Sequence, residues 1–313
     1  MSSVAEEESP EQDSAGEEST GESNPHAAWR MAVAQRAADA YTENPKLAAL
    51  TVAGSVGAGL ADRFSDLELD CYWSQAPTDQ DRRNPVQILG GKLIALWDYD
   101  TDEEEWSEDY QLGELDVTVS NFVTGTIDRW LDGVTRHADS DPVKHMRLAA
   151  IQRSQPLAGQ ALIESWQDRA ASSPDRLVGI MVGHALDPVA LRGWAAREAL
   201  VSRGDDLAAQ ALLSRVGYAV AGTVLALNRV YLPHRQLKWQ RHLLAGLAVA
   251  PDQLNDRLDA LTSRPAGDAI QAAELLLADT VQLAETHSDA DLADFRAELT
   301  EARPALDPPG ISR

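Results

Sequence analysis

The sequence predicts an α+β protein: a mixed β-sheet with flanking helices over residues 26–158, then an all-helical bundle over residues 159–303. Three observations lead to this class. Short β-type runs recur between residues 48 and 119. After residue 159 the β-branched runs vanish, and Ala, Leu, Arg and Asp dominate with apolar residues three or four apart, the helical period. Residues 1–25 are rich in Glu, Ser, Gly and Pro and contain no aromatic residue, so they bury too little to order themselves and read as a disordered acidic tail.

Taken in order, Trp29, Val33 and Ala37 at helical spacing predict a helix over 26–43, ended by Pro45. Strands are expected near 48–53, 66–73, 92–97 and 112–119, with the acidic segment 98–109 as a loop between the last two. A helix near 123–137 and a strand near 144–151 would complete the first domain. In the second, Asp187-Pro188, Gly204-Asp205, Leu232-Pro233, Ala250-Pro251 and Arg264-Pro265 punctuate helices of ordinary length, with Asp205 as an N-cap. Residues 304–313 are Pro-rich and read as a frayed tail.

The net charge is −23, and most of it sits in two places. Residues 1–25 and residues 98–109 each carry eight acids and no Lys or Arg. The remainder is only mildly acidic and lacks the basic footprint of a nucleic-acid binder. No run of 18 apolar residues indicates a membrane span, and the N-terminus has neither the basic region nor the apolar core of a secretory signal. The single cysteine, Cys71, excludes an intramolecular disulfide and a cysteine-based zinc cluster. A reduced, cytoplasmic protein is expected.

The chemistry concentrates at residues 50–73. A β-type run ends in Gly54-Ser55, a turn rich in small residues follows, and a second β-type run opens Asp66-Leu67-Glu68-Leu69-Asp70. Side chains two apart on a strand point the same way, so Asp66 and Glu68 share a face at a spacing of about 7 Å. Hard carboxylate oxygens there suit a pair of Mg²⁺ ions about 3.5–4 Å apart. The Gly-Ser turn offers backbone N–H groups, and a hydroxyl, to a phosphate; Gly57 and Gly59 allow close backbone approach, and Arg63 is near enough in sequence to reach phosphate. A basic group, Arg229, Arg235, Lys238 and Arg241, falls within the helical part, and Lys238 is one of only four lysines in the chain. Trp97, Tyr99, Trp106 and Tyr110 interleave with the acids of 98–109, which reads either as a solvated loop or as a collector for a cationic molecule.

Gly54-Ser55, ten residues, then Asp66-x-Glu68 resembles the nucleotidyltransferase superfamily with the DNA polymerase beta-like core. Ser65-Asp66-Leu67-Glu68-Leu69 is most similar to its antibiotic-modifying branch: lincosamide- and aminoglycoside-type enzymes and their bacterial relatives. The resemblance covers roughly residues 48–125 and extends more loosely to Leu227–His234. It implies Asp66 and Glu68 as metal ligands and a third carboxylate on a later strand. Asp116 is expected there, with Glu114 as its rival; Asp116 would also take the acceptor's proton. Gly54, Ser55, Arg63 and Lys238 would contact phosphates. The implied activity uses two Mg²⁺ ions and a nucleoside triphosphate, ATP by expectation. It moves a nucleoside monophosphate to a hydroxyl of a small, antibiotic-like, cationic acceptor and releases pyrophosphate. The alternatives are transfer to tRNA or protein in a toxin–antitoxin setting, and an inactive homologue that only binds nucleotide.

Overall fold

A computed structural model describes residues 24–306. The expected acidic tail therefore lies outside the described residues except for its last two positions, as does the C-terminal tail after residue 306. Helix α1 (Pro25–Thr42) starts where Asn24 accepts hydrogen bonds from the N–H groups of His26 and Ala27, with Pro25 in the first turn. The sheet is built from β1 (Leu47–Val52), β2 (Leu67–Trp73), β3 (Lys92–Asp100), β4 (Glu105–Leu112), β5 (Leu115–Val123) and β6 (Gln155–Ala158). Their order is β3-β4-β5-β2-β1-β6; β2 and β5 run parallel, and the other neighbours antiparallel. This is a mixed sheet with flanking helices, as the α+β class requires.

Period-two alternation gives the sheet two unlike faces. On one, Leu67, Leu69 and Cys71 of β2 and Val117 and Val119 of β5 pack with Val33, Ala37 and Tyr41 of α1 and Val86 of α3 (Asp79–Ile88). On the other, Tyr72 and Phe122 are covered by Ile127 and Trp130 of α4 (Thr124–His137), Leu148 of α5 (Pro142–Arg153) and Trp166 of α6 (Gln160–Ala170). That cover reaches only the Tyr72–Phe122 end. At the other end the same face carries Asp66, Glu68 and Asp116, and it borders an open cleft.

Two expected elements differ. Residues 144–151 are helical, inside α5, and not a strand. Asp141 caps that helix through the Val143 N–H (2.9 Å) with Pro142 behind it, a start signal stronger than the apolar content that suggested a strand. The acidic segment 98–109 is not a loop: most of it forms the β3–β4 hairpin, whose turn is held by the Asp100 carboxylate accepting from the N–H groups of Asp102 and Glu103. The acids hid an alternation in which Glu108 and Tyr110 face the packed side while Ser107 and Asp109 face the open one.

The helical part comprises α7 (Asp175–Ala185), α8 (Arg197–Arg203), α9 (Asp206–Leu227), α10 (Gln240–Leu244), α11 (Leu254–Ser263), α12 (Ala266–His287) and α13 (Ala293–Thr300). Asp205 occupies the N-cap position of α9, though its side chain makes no capping bond. Among the described residues α9 is the one helix long and apolar enough to cross a membrane by length and composition, although it is not an unbroken apolar run. Here it is the core helix: Leu212, Leu213, Val216, Val220 and Val224 are buried against α7, α11 and α12.

Candidate functional site

The cleft at the uncovered end of the sheet has a volume of about 660 Å³, within the range of small-molecule sites. Its floor comes from β2 and β5. Leu67 stands opposite Val117 and Glu68 opposite Thr118, so Asp66 and Asp116 stand at the same level one residue earlier. Asp66, Glu68 and Asp116 all line the cleft. Glu114 lies before β5 in the exposed turn and is absent from the lining, which separates it from Asp116. Gln111 Nε2 donates to Asp116 Oδ1 (2.8 Å) and orients that carboxylate.

The Gly54-Ser55 turn opens the short helix α2 (Gly54–Gly57) and lines the same cleft. Gly57 and Ala58 donate their N–H groups to the carbonyls of Ala53 and Gly54, which leaves the N–H groups of the preceding residues without partners inside the helix. Gly54 is required twice over. Its φ is +58°, and an added Cβ would stand 2.6 Å from the Glu68 carboxylate. The Glu68 carboxylate thus lies directly against the turn. Although the Glu68 side chain as a whole is open to the cleft, its carboxylate is crowded at the floor. Loss of water, then the charges of Asp66 and Asp70, push its pKa up to about 7 against the pull of Lys238 and Arg147. Among the described residues it accepts no hydrogen bond.

Cations come from two other elements: Arg153 at the end of α5 and Lys238 from the α9–α10 region line the cleft, and His234, Trp239 and His242 line it beside Lys238. Lys238 makes no ion pair among the described residues. Arg63 does not line the cleft; it is exposed and sets its guanidinium over the Phe64 ring at 4.5 Å. That corrects its expected place beside the phosphates, since the turn after Asp62 directs it outward. Asp70, on the same strand face as Glu68, is buried and paired with Arg147 (2.9 Å), which also holds Glu105 (2.9 Å) and lies over the Phe122 ring. Burial, partly offset by Arg147, pushes Glu105 up to about 7.

The hairpin disperses the acids of 98–109 that the collector reading groups together. Glu108 is buried, Glu104 pairs with Arg129, and Glu105 with Arg147. Asp109 stays on the open face, accepting from Thr118 Oγ1 (2.9 Å) and from Nε1 of the exposed Trp97 (3.1 Å).

Among the described residues no three His, Cys, Asp or Glu side chains are grouped closely enough to hold a metal ion alone. Magnesium, however, is ordinarily held by one or two carboxylates together with waters and substrate phosphates, and not by an all-protein cage. Asp66 and Glu68, with their crowded negative charge beside a turn of free N–H groups, have the donor chemistry for an ion that arrives with phosphate.

No protein-family model matches the chain, and no curated protein sequence matches it. Among solved structures it is similar to a nucleotidyltransferase-like protein from Exiguobacterium sibiricum 255-15, at 11% identity and a TM-score of 0.36, over 82% of this chain and 75% of that one. The functional reading rests on the residues of the cleft.

Arg153, Trp239 and His242 were not singled out from sequence. Arg153 follows a stretch whose helical cap, Asp141-Pro142, was the readable signal. Trp239 reaches the cleft because its backbone is left-handed (φ +60°), a conformation no local pattern announces for tryptophan.

Proposed function

We propose that the cleft binds a magnesium–nucleoside triphosphate, by preference ATP, and transfers its nucleoside monophosphate to a hydroxyl of a small cationic acceptor. The observation that supports this most is the joint lining of one cleft by Asp66, Glu68 and Asp116 from neighbouring parallel strands, the Gly54-Ser55 turn and Lys238. Asp66 and Glu68 would hold the metal, and Asp116 lines the same cleft from the neighbouring strand without completing a three-carboxylate cage. Magnesium, when bound, neutralises charge that builds on the phosphoryl oxygens and on the leaving pyrophosphate. The turn's N–H groups and Ser55 bind the phosphate oxygens, while Lys238 and Arg153 offset the charge of the triphosphate. Asp116, oriented by Gln111, takes the proton from the acceptor hydroxyl. The new bond joins the acceptor oxygen to the α-phosphorus, and the bond to pyrophosphate breaks.

The open sheet face supports a cationic acceptor. Asp109 and the flat, exposed Trp97 lie across β4 and β3 on the side that carries Asp116, and carboxylates beside an aromatic wall favour amines and sugars. An antibiotic-like aminoglycoside or lincosamide is the acceptor class this reading selects. The acidic floor speaks against an RNA substrate. The buried, unpaired Cys71 supports a cytoplasmic setting.

The test is pyrophosphate release from each of the four triphosphates, with and without Mg²⁺, against a panel of aminoglycosides and lincosamides. Release that requires Mg²⁺ and one acceptor class is the expected result. Stabilisation by nucleotide with no pyrophosphate under any acceptor would reduce the protein to a nucleotide binder, and label migrating with protein or RNA from a lysate would replace the acceptor.

A further inference from the structure

The segment between α9 and α10 contributes to two cavities. Pro233, His234, Lys238 and Trp239 line the acidic cleft, whereas Tyr231, Leu232, Arg235 and Leu237 line a second cavity of about 410 Å³ that shares no lining residue with it. The second cavity's remaining walls come from α7 and α9, through residues such as Leu177, Met181, Ala219 and Leu225, and from Ala190. Its volume far exceeds a packing defect in an interior close-packed like a crystal and lies within the range of ligand sites. The Tyr231 ring meets the His145 ring edge to face, with centroids 5.2 Å apart, and gives one wall an aromatic surface.

The charge on its exposed rim is of the opposite sign to the protein's. Acids outnumber Lys and Arg by 50 to 27 in this chain, yet the cavity lining includes Arg215, Arg229 and Arg235 and no Asp or Glu. Arg229 pairs with Asp175. Arg215, however, donates only to the carbonyls of Ala211 and Arg192. Arg235 makes no hydrogen bond and no ion pair among the described residues. Both guanidinium groups are exposed beside an apolar hollow.

We propose that this cavity is a binding site for an amphipathic anion: an apolar body seated against α7 and α9, with a carboxylate or phosphate head at Arg215 and Arg235. The apolar lining supplies affinity by burial, and the uncompensated guanidinium groups select the sign of the head.

Calorimetric titration of the full chain, without nucleotide, tests this independently of the transfer reaction. Dodecanoate and dodecyl phosphate are expected to bind once per chain, and dodecylammonium about tenfold more weakly or worse. Replacing both rim arginines (Arg215→Ala with Arg235→Ala) should bring the anionic and cationic probes to similar affinity. Ala190→Trp, which fills the cavity from its edge, should abolish binding while circular dichroism and melting temperature stay near the parent's. If that variant does not fold, Val189→Trp, at an exposed position of the same wall, replaces it. Equal binding of the two head groups by the parent protein, binding that survives in the filled variant, or no binding of any probe would each overturn the proposal.

Discussion

Glu68 and Glu108 stand on opposite faces of one sheet, and both carboxyls are pushed upward in pKa chiefly by loss of water, to about 7 and about 8. Their surroundings differ completely. Glu108 accepts from the Tyr41 hydroxyl (3.0 Å) and from Asn121 Nδ2 (2.7 Å), with the Arg82 guanidinium 3.7 Å away. The Glu68 carboxylate has no hydrogen-bond donor among the described residues and faces a cleft with three other acids, Asp62, Asp66 and Asp116. Burial alone therefore does not mark a functional acid. A satisfied carboxyl tethers α1 and α3 to the sheet, whereas an unsatisfied one beside an open volume is left for a ligand.

The sharpest way to break this comparison is Asp66→Asn. Losing one charge from the set on the Glu68 face should cost about 3 kcal/mol of transition-state stabilisation, roughly a hundredfold in pyrophosphate release, with the melting temperature unchanged. Full activity in this variant would remove Asp66 from the mechanism. Gly54→Ala probes the same face through the backbone. It forces a side chain into a left-handed conformation, at about 1–2 kcal/mol, and drives a methyl group into the Glu68 carboxylate. Both urea stability and activity should fall, and retained activity would show that Glu68 need not lie against the turn.

Lys238→Ala should raise the KM for the triphosphate about tenfold, an effect that weakens in high salt, while kcat changes little; an unchanged KM would place Lys238 away from the phosphates. The last effect expected is on stability, through Glu108. Its folded pKa lies above the unfolded value, so its favourable contribution is fully present below the unfolded pKa of 4.5 and is lost as pH rises through about 8. The urea midpoint should decline between these limits, and Glu108→Gln, which cannot ionise, should flatten the decline. An equal slope in both proteins would assign the pH dependence to other groups.

Local signals were readable where local geometry sufficed. The helix expected over 26–43, the common face of Asp66 and Glu68 and the helical texture after residue 159 follow from periodicity. The hairpin at 92–112 was obscured because its inward position carries an acid, Glu108, whose burial depends on Arg82 and Tyr41 from two distant helices. The strand expected at 144–151 reflected apolar content without its cap. Arg63 was close to the site in sequence yet points away, while Arg153 and Trp239, distant in sequence, line the cleft.

By itself the sequence determined which side chains share a strand face and where the glycine-serine turn precedes the acids, because the periods of strand and helix are properties of the backbone over a few residues. Only the tertiary structure decided which acids are neutralised and which stay open. Asp70, Glu105 and Glu108 are held by Arg147, Tyr41 and Arg82, while Asp66, Glu68 and Asp116 meet Lys238 across the cleft. Charge compensation acts through space between elements far apart in the chain, and no run of neighbouring residues encodes it.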